Sequence, residues 1–304
     1  MTTEQPFDKQ TYFALALDPL HVGTGGYRLG RVDMSIVREP GTDVPKVPGT
    51  SLAGACRTYA AMQHYPEKWP HCAGQGQEKK ERSYNGHCGQ PDCPICVSFG
   101  FSKGNNSFQG LAQFADARLV LFPVHSLVGP VWVTCPAILS DLDKPEAAPV
   151  DEHIRIAAGI QTSGKLNLGW LMLEAETGFT LDLPDVPQEI LTRAVLVSDK
   201  LFGHIVNDNL EVRTSVSIDP QTGAAADGAL FTYEALPRSS VLAFDVVVSD
   251  PKYYQIQDKP PSAPVRATVE SGLRLFASLG VGGMNTRGMG RLQVLGLEKE
   301  AGNA

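Results

Sequence analysis

Residues 47–60, Val-Pro-Gly-Thr-Ser-Leu-Ala-Gly-Ala-Cys-Arg-Thr-Tyr-Ala, place Leu52, Ala55, Cys56, Tyr59 and Ala60 at i, i+3, i+4, i+7 and i+8. That spacing is one apolar face of an α-helix. Thr50 or Ser51 can cap it. Upstream, Thr11-Tyr-Phe-Ala-Leu-Ala-Leu17 is a short apolar run closed by Asp18-Pro19, which reads as a core strand. Between the two lie a Gly-rich loop over residues 21–33, a short strand at Ser35–Arg38 and a turn at Pro40-Gly41. Strand and helix in succession make the fold mixed.

Outward from this point the alternation continues. Strand patterns cover Leu111–Val124 and Val131–Thr134, and an apolar helical face runs over Pro187–Ile205. Residues 211–234 read as two strands joined by a Gly- and Ala-rich tip, Asp219–Gly228. A helix at Thr268–Leu279 precedes a second Gly-rich loop, Gly280–Gly290, and a last strand, Arg291–Leu297. No internal repeat or low-complexity linker interrupts the chain, so the expected architecture is α+β around one sheet.

The chain has 304 residues, and its 26 Lys and Arg against 33 Asp and Glu give a formal charge of −7. Hydrophobic residues make up 42%, enough for a real core and far from the composition of a disordered chain. The acidic balance speaks against a free-standing binder held to nucleic acid by net charge alone, but leaves room for a local groove. No run approaches the 18 apolar residues of a membrane span, and the polar start Met1–Pro6 predicts a cytoplasmic protein without a secretory signal.

Residues 65–109 lack periodicity and hold Cys72, Cys88, Cys93 and Cys96, four of the six cysteines. Two thiolates in the Cys93-Pro-Ile-Cys96 turn suit adjacent corners of a tetrahedron, which is the geometry of zinc with soft ligands. His71 and His87 stand beside two of the cysteines as alternative ligands. Four protein ligands would close the coordination shell, making the zinc structural rather than catalytic. Buried free thiols, or redox chemistry at the C-x-x-C, are the other readings.

Basic residues cluster early. Arg28, Arg31, Arg38, Lys46 and Arg57 outnumber Asp33, Glu39 and Asp43 within residues 28–57. Ser51 adds a hydroxyl at a helix start, where free N–H groups favour phosphate. In the second Gly-rich loop, Asn285, Arg287 and Arg291 can reach a backbone phosphate where glycines allow close approach.

Taken in order, Asp18-Pro-Leu-His-Val-Gly-Thr-Gly, Leu29-Gly-Arg-Val-Asp-Met-Ser-Ile-Val-Arg-Glu and Val47–Arg57 resemble the N-terminal signature of the RAMP superfamily. Within it, the repeating backbone subunits of Cmr-type (type III-B) CRISPR effector complexes are the nearest likeness. Phe114–Pro136, Gly228–Pro237 and the C-terminal Gly-rich loop agree, so the likeness spans nearly the whole chain as a single RAMP domain over 1–304. Cys93-Pro-Ile-Cys-Val-Ser-Phe-Gly is similar to zinc-bearing relatives in other type III branches. The resemblance implies a ferredoxin-like (RRM-like) core, a zinc-binding insertion at 65–109, and a β-hairpin thumb at about 211–234.

It further implies partners: a guide CRISPR RNA, a complementary target RNA, further copies of the chain and other effector subunits, with no membrane. Its catalytic aspartate maps onto Asp33, with His21, Arg28 and Arg31 as supporting candidates and Mg or Mn as the catalytic metal. RNA carries its own nucleophile in the 2′-OH, so the protein need only position it, hold charge and move a proton. The family often has Lys where this chain has Ala53, so one phosphate contact is open to Lys46 or Arg57. The alternative functions are an inert scaffold that binds guide RNA without cutting, and an unrelated zinc-stapled protein that binds a small ligand.

Overall fold

A computed structural model describes residues 5–25, 32–74, 86–150, 153–226 and 230–297. In chain order the elements are β1 (Phe7–Ala16), β2 (Lys46–Val47), α1 (Gly49–His64), α2 (Pro94–Phe99), β3 (Phe101–Lys103), β4 (Asn106–Phe108), β5 (Ala112–Phe114), β6 (Ala117–Val124) and β7 (Val131–Thr134). They continue with α3 (Pro136–Asp141), β8 (His153–Ala157), β9 (Lys165–Leu168), β10 (Leu171–Phe179), α4 (Gln188–Leu191), β11 (Ala194–Leu196) and α5 (Asp199–Asp208). The last are β12 (Glu211–Ser215), β13 (Phe231–Ala235), β14 (Val241–Ser249), α6 (Val265–Arg274), α7 (Phe276–Leu279) and β15 (Leu292–Val294).

The fold is mixed α/β around one large mixed sheet of eleven strands, in the order β15-β1-β14-β6-β7-β11-β8-β10-β9, with β2 on β6 and β5 on β14. β6 joins its two halves. Its Arg118–Leu121 end pairs with β14, and its Phe122–Val124 end pairs with β7. Alternation along the strands builds two cores on opposite faces. Tyr12, Ala14, Leu242 and Phe244 meet α1 and α6 through Leu52, Cys56, Val269 and Leu273. Phe13, Leu121, Val241 and Ala243 face the segment carrying Phe179, Leu183 and Ile190. β12 and β13 form a separate two-stranded hairpin outside the large sheet.

The structure corrects several element boundaries. The expected helix at 187–205 is α4, β11 and α5, because Ala194–Leu196 is inserted between β7 and β8. A short apolar run satisfies either periodicity, and here the vacant sheet position decides. The strand expected over 111–124 divides at Ala115-Asp116, where the Asp116 carboxylate binds Gly49 N–H at 2.7 Å and Lys46 at 2.7 Å. Pro48, rather than Thr50 or Ser51, stands at the start of α1. The helix expected at 268–279 begins earlier and breaks at Leu275 into α6 and α7. No helix among the described residues is long and apolar enough to cross a membrane.

Candidate functional site

Antiparallel pairing to β12 uses one edge of β13; the other edge organises the site. Thr232 N–H and Oγ–H both donate to Asp33 Oδ2, at 2.7 and 2.9 Å, and Asp33 N–H donates to Thr232 Oγ1 at 3.1 Å. Met34 N–H bonds the Thr232 carbonyl, and Glu234 N–H bonds the Met34 carbonyl. The Glu234 carbonyl accepts from His21 Nδ1 at 2.7 Å. Asp33 and His21 are therefore held by residues two apart on one strand edge, roughly 7 Å along the chain. A carbonyl only accepts, so a proton sits on His21 Nδ1, and in the neutral ring Nε2 then carries the lone pair. Nε2 lies against Gly23, where a Cβ would come within 3.2 Å of it.

The Asp33 carboxyl is exposed. The Thr232 backbone N–H, then its hydroxyl, holds its pKa below the usual aspartate value. It is a carboxylate at neutral pH, able to accept a proton or hold a cation. Beneath it, the Glu234 side chain is buried and Oε1 accepts from Ile36 N–H at 2.9 Å and Arg38 Nη1 at 2.5 Å. Thr232 and Glu234 escaped the sequence reading. A lone carboxylate among Tyr233, Ala235 and Leu236 was the available signal for Glu234.

The remaining predicted residues scatter. Arg28 and Arg31 lie outside the described residues. Arg38 is committed to Glu234 and to Asn207 Oδ1 at 3.1 Å. Lys46 pairs with Asp116 and with Glu39 at 3.2 Å, and the Asp116 carboxylate fills the helix start expected to take phosphate, beside Ser51. Asn285 Nδ2 binds the Leu279 carbonyl, and Arg291 grips Asp18 through two bonds. Arg287 is exposed, its guanidinium carbon 5.8 Å from the centre of the Phe231 ring, next to Thr232 in the chain. Arg57 departs furthest from expectation. It turns inward onto the carbonyls of Cys72 (2.8 Å), Phe99 (3.2 Å) and Gly100 (2.8 Å), so it is no surface phosphate contact.

That interior is the tetracysteine centre. Cys72, Cys88, Cys93 and Cys96 bring their sulfurs within 4.8 Å of one another, and they are the set able to hold a metal among the described residues. Sulfur separations of 3.6 Å (Cys96–Cys72), 3.7 Å (Cys88–Cys96) and 3.9 Å (Cys93–Cys72) are far from a disulfide. They match the edge of about 3.8 Å of a tetrahedron with 2.3 Å zinc–sulfur bonds. Cys88 N–H donates to Cys72 Sγ at 3.3 Å, Cys96 N–H to Cys93 Sγ at 3.4 Å and Tyr65 O–H to Cys93 Sγ at 3.3 Å. Contact with Cys72 draws the Cys93 thiol far down, while contact with Cys88 drives Cys72 far up. A divalent cation removes that conflict by favouring thiolate at every corner. The four sulfurs need neither histidine. His71 packs edge-on against Tyr65, and His87 Nδ1 accepts from Ser102 N–H at 3.1 Å.

The chain is 25% identical over 263 residues to the CRISPR system Cmr endoribonuclease Cmr4 of Pyrococcus furiosus, covering 78% of this chain and 80% of that protein. Its fold is similar to a chain of a type III-B Cmr-beta complex bound to cognate target RNA, with a TM-score of 0.64, 15% identity and coverage of 96% and 98%. It is also similar to oligomeric Cmr4 from Pyrococcus furiosus, with a TM-score of 0.57, 18% identity and coverage of 95% and 98%. The model of the RAMP superfamily matches residues 14–293, and the chain belongs to that superfamily.

Proposed function

We propose that this chain is the repeating backbone subunit of a type III-B-like CRISPR effector. In this reading it binds guide RNA alongside further copies and other subunits, and it cuts complementary target RNA at regular intervals. The observation that carries the proposal is the Asp33 carboxylate, exposed and fastened to Thr232 on the edge of β13 opposite β12. That strand is half of the 211–234 hairpin, assigned as the thumb, whose Val212, Val216 and Ile218 are exposed. Support for a ferredoxin-like (RRM-like) core comes from chain order β1-α1-β6-β14-α6-β15 combined with sheet order β15-β1-β14-β6. Support for RNA cutting comes from the relative named as an endoribonuclease.

A distorted target nucleotide aligns its 2′-oxygen with the adjoining phosphorus. As that P–O bond forms and the P–O5′ bond breaks, Asp33 accepts the 2′-OH proton and the leaving 5′-oxygen takes up a proton from water, with His21 Nε2 as a supporting hydrogen-bond acceptor for that water. Arg31 and Arg287 stand for the charge that grows on the phosphate oxygens, and Arg28 for guide contact. Asp33 is one carboxylate, which fits Mg or Mn together with phosphate and water oxygens. Such an ion would steady the phosphate charge. The tetracysteine insertion at 65–109 is assigned a structural zinc. A cytoplasmic location accords with reduced thiols.

Asp33→Ala tests the proposal. Assembled complexes carrying it keep guide RNA and lose target cutting. Unchanged cutting would remove Asp33 from the role and favour the remaining residues of the site; absence of cutting by the wild-type assembly would leave an inert scaffold.

A further inference from the structure

The two halves of the tetracysteine centre come from separate segments. Cys72 follows α1, while Cys88 lies in the segment leading into α2, which Cys93 and Cys96 open. Cys72 itself has φ of 60°, in the left-handed region of the backbone. One side chain reaches both segments. From α1, Arg57 donates through Nε to the Cys72 carbonyl, and through Nη1 to the carbonyls of Phe99 and Gly100 at the end of α2. Its Nη2 is buried and has no acceptor among the described residues.

Electrostatics favours this placement. Four thiolates around a divalent cation carry a net charge of −2, which is costly to bury without a counter-charge. The end of α2 also exposes carbonyls that attract a cation. A planar fork serves three carbonyls at once, which a lysine ammonium on a flexible stem cannot reproduce.

We infer that Arg57 is the counter-cation and clamp of the tetracysteine metal site, a positioning residue that fixes both ligand-bearing segments to α1. The inference rests on the reading that the cysteines hold zinc. Its readout is metal release rather than RNA cutting. In the full-length protein loaded with zinc, Arg57→Met releases the metal to a chromogenic chelator about tenfold faster or more than wild type. Arg57→Lys falls between the two. Cobalt-loaded wild type and variants share the absorption bands of four-thiolate tetrahedral coordination, because the ligands are intact. Tyr59→Phe provides the control for general weakening. It removes a 2.8 Å bond from α1 to the Gly280 carbonyl, away from the cysteines, and leaves the release rate at the wild-type value.

Equal release rates for wild type and Arg57→Met would overturn the inference while leaving zinc in place. Equal acceleration in Tyr59→Phe would reduce Arg57 to ordinary stabilisation and overturn it too. A wild-type chain that binds no zinc or cobalt would overturn the metal reading itself. Should Arg57→Met fail to fold, the Lys variant decides alone, since it keeps the charge and loses the fork.

Discussion

Thr232 reaches Asp33 across 199 positions of sequence, and no local pattern announces the pair. Asp33 itself was legible through its place in the Leu29–Glu39 motif, whereas its donors depend on how β13 lies against residues 33–36. Thr232 makes a prediction with a definite sign. Its N–H and hydroxyl hold the Asp33 pKa below the usual aspartate value, so the carboxylate persists until pH falls through that lowered value. In Thr232→Val the backbone N–H remains, so the pKa moves part of the way back up and the acidic limb of the pH–rate profile for target cutting shifts to higher pH; Thr232→Ser restores the profile. An unmoved limb would dissociate that hydroxyl from the reaction. Glu234 carries a second prediction. With its side chain 7% and that of Arg38 16% exposed, removing either partner leaves a buried charge. Glu234→Ala is expected to cost about 3–5 kcal/mol in denaturant unfolding. The double variant Glu234→Leu with Arg38→Met recovers much of that loss, because no unpaired charge remains.

At the scale of elements, the helix over residues 49–64 was readable because its apolar stripe is long, and the Val131–Thr134 strand because all four residues are buried. The 187–205 region misled for a physical reason. Ala194 and Val195 contribute to an apolar helical face on paper, yet parallel pairing of Ala194–Leu196 to Trp132–Thr134 satisfies that backbone in the sheet. At the start of α1, the Gly49 N–H is bonded by Asp116, which arrives from the break between β5 and β6, 67 positions away. The crossing of α1 and α6 depends on Gly272, where a Cβ would collide with the Cys56 carbonyl and lie 2.8 Å from its sulfur. Gly272→Ala is expected to destabilise the fold by about 1–3 kcal/mol, read from the denaturant midpoint. An unchanged midpoint would mean that the helices separate without loss.

Across the whole molecule, a chain of net charge −7 is assigned to RNA, and among the described residues much of its positive charge is already paired. An isolated copy is accordingly expected to bind RNA weakly at physiological salt, while an assembly pools its exposed cations along a guide. Titrating labelled guide RNA with protein should give cooperative binding, and independent tight binding by single copies would contradict this. The proposal that each copy cuts at its own position is tested most directly by mixed assemblies. Complexes reconstituted on one guide from wild-type and Asp33→Ala protomers in known ratios are given end-labelled target under single-turnover conditions. The account predicts a ladder of evenly spaced products, each falling in proportion to the fraction of Asp33→Ala protomers, with spacing unchanged. A ladder that persists when every protomer carries Asp33→Ala, or one cut at a single position, would contradict it.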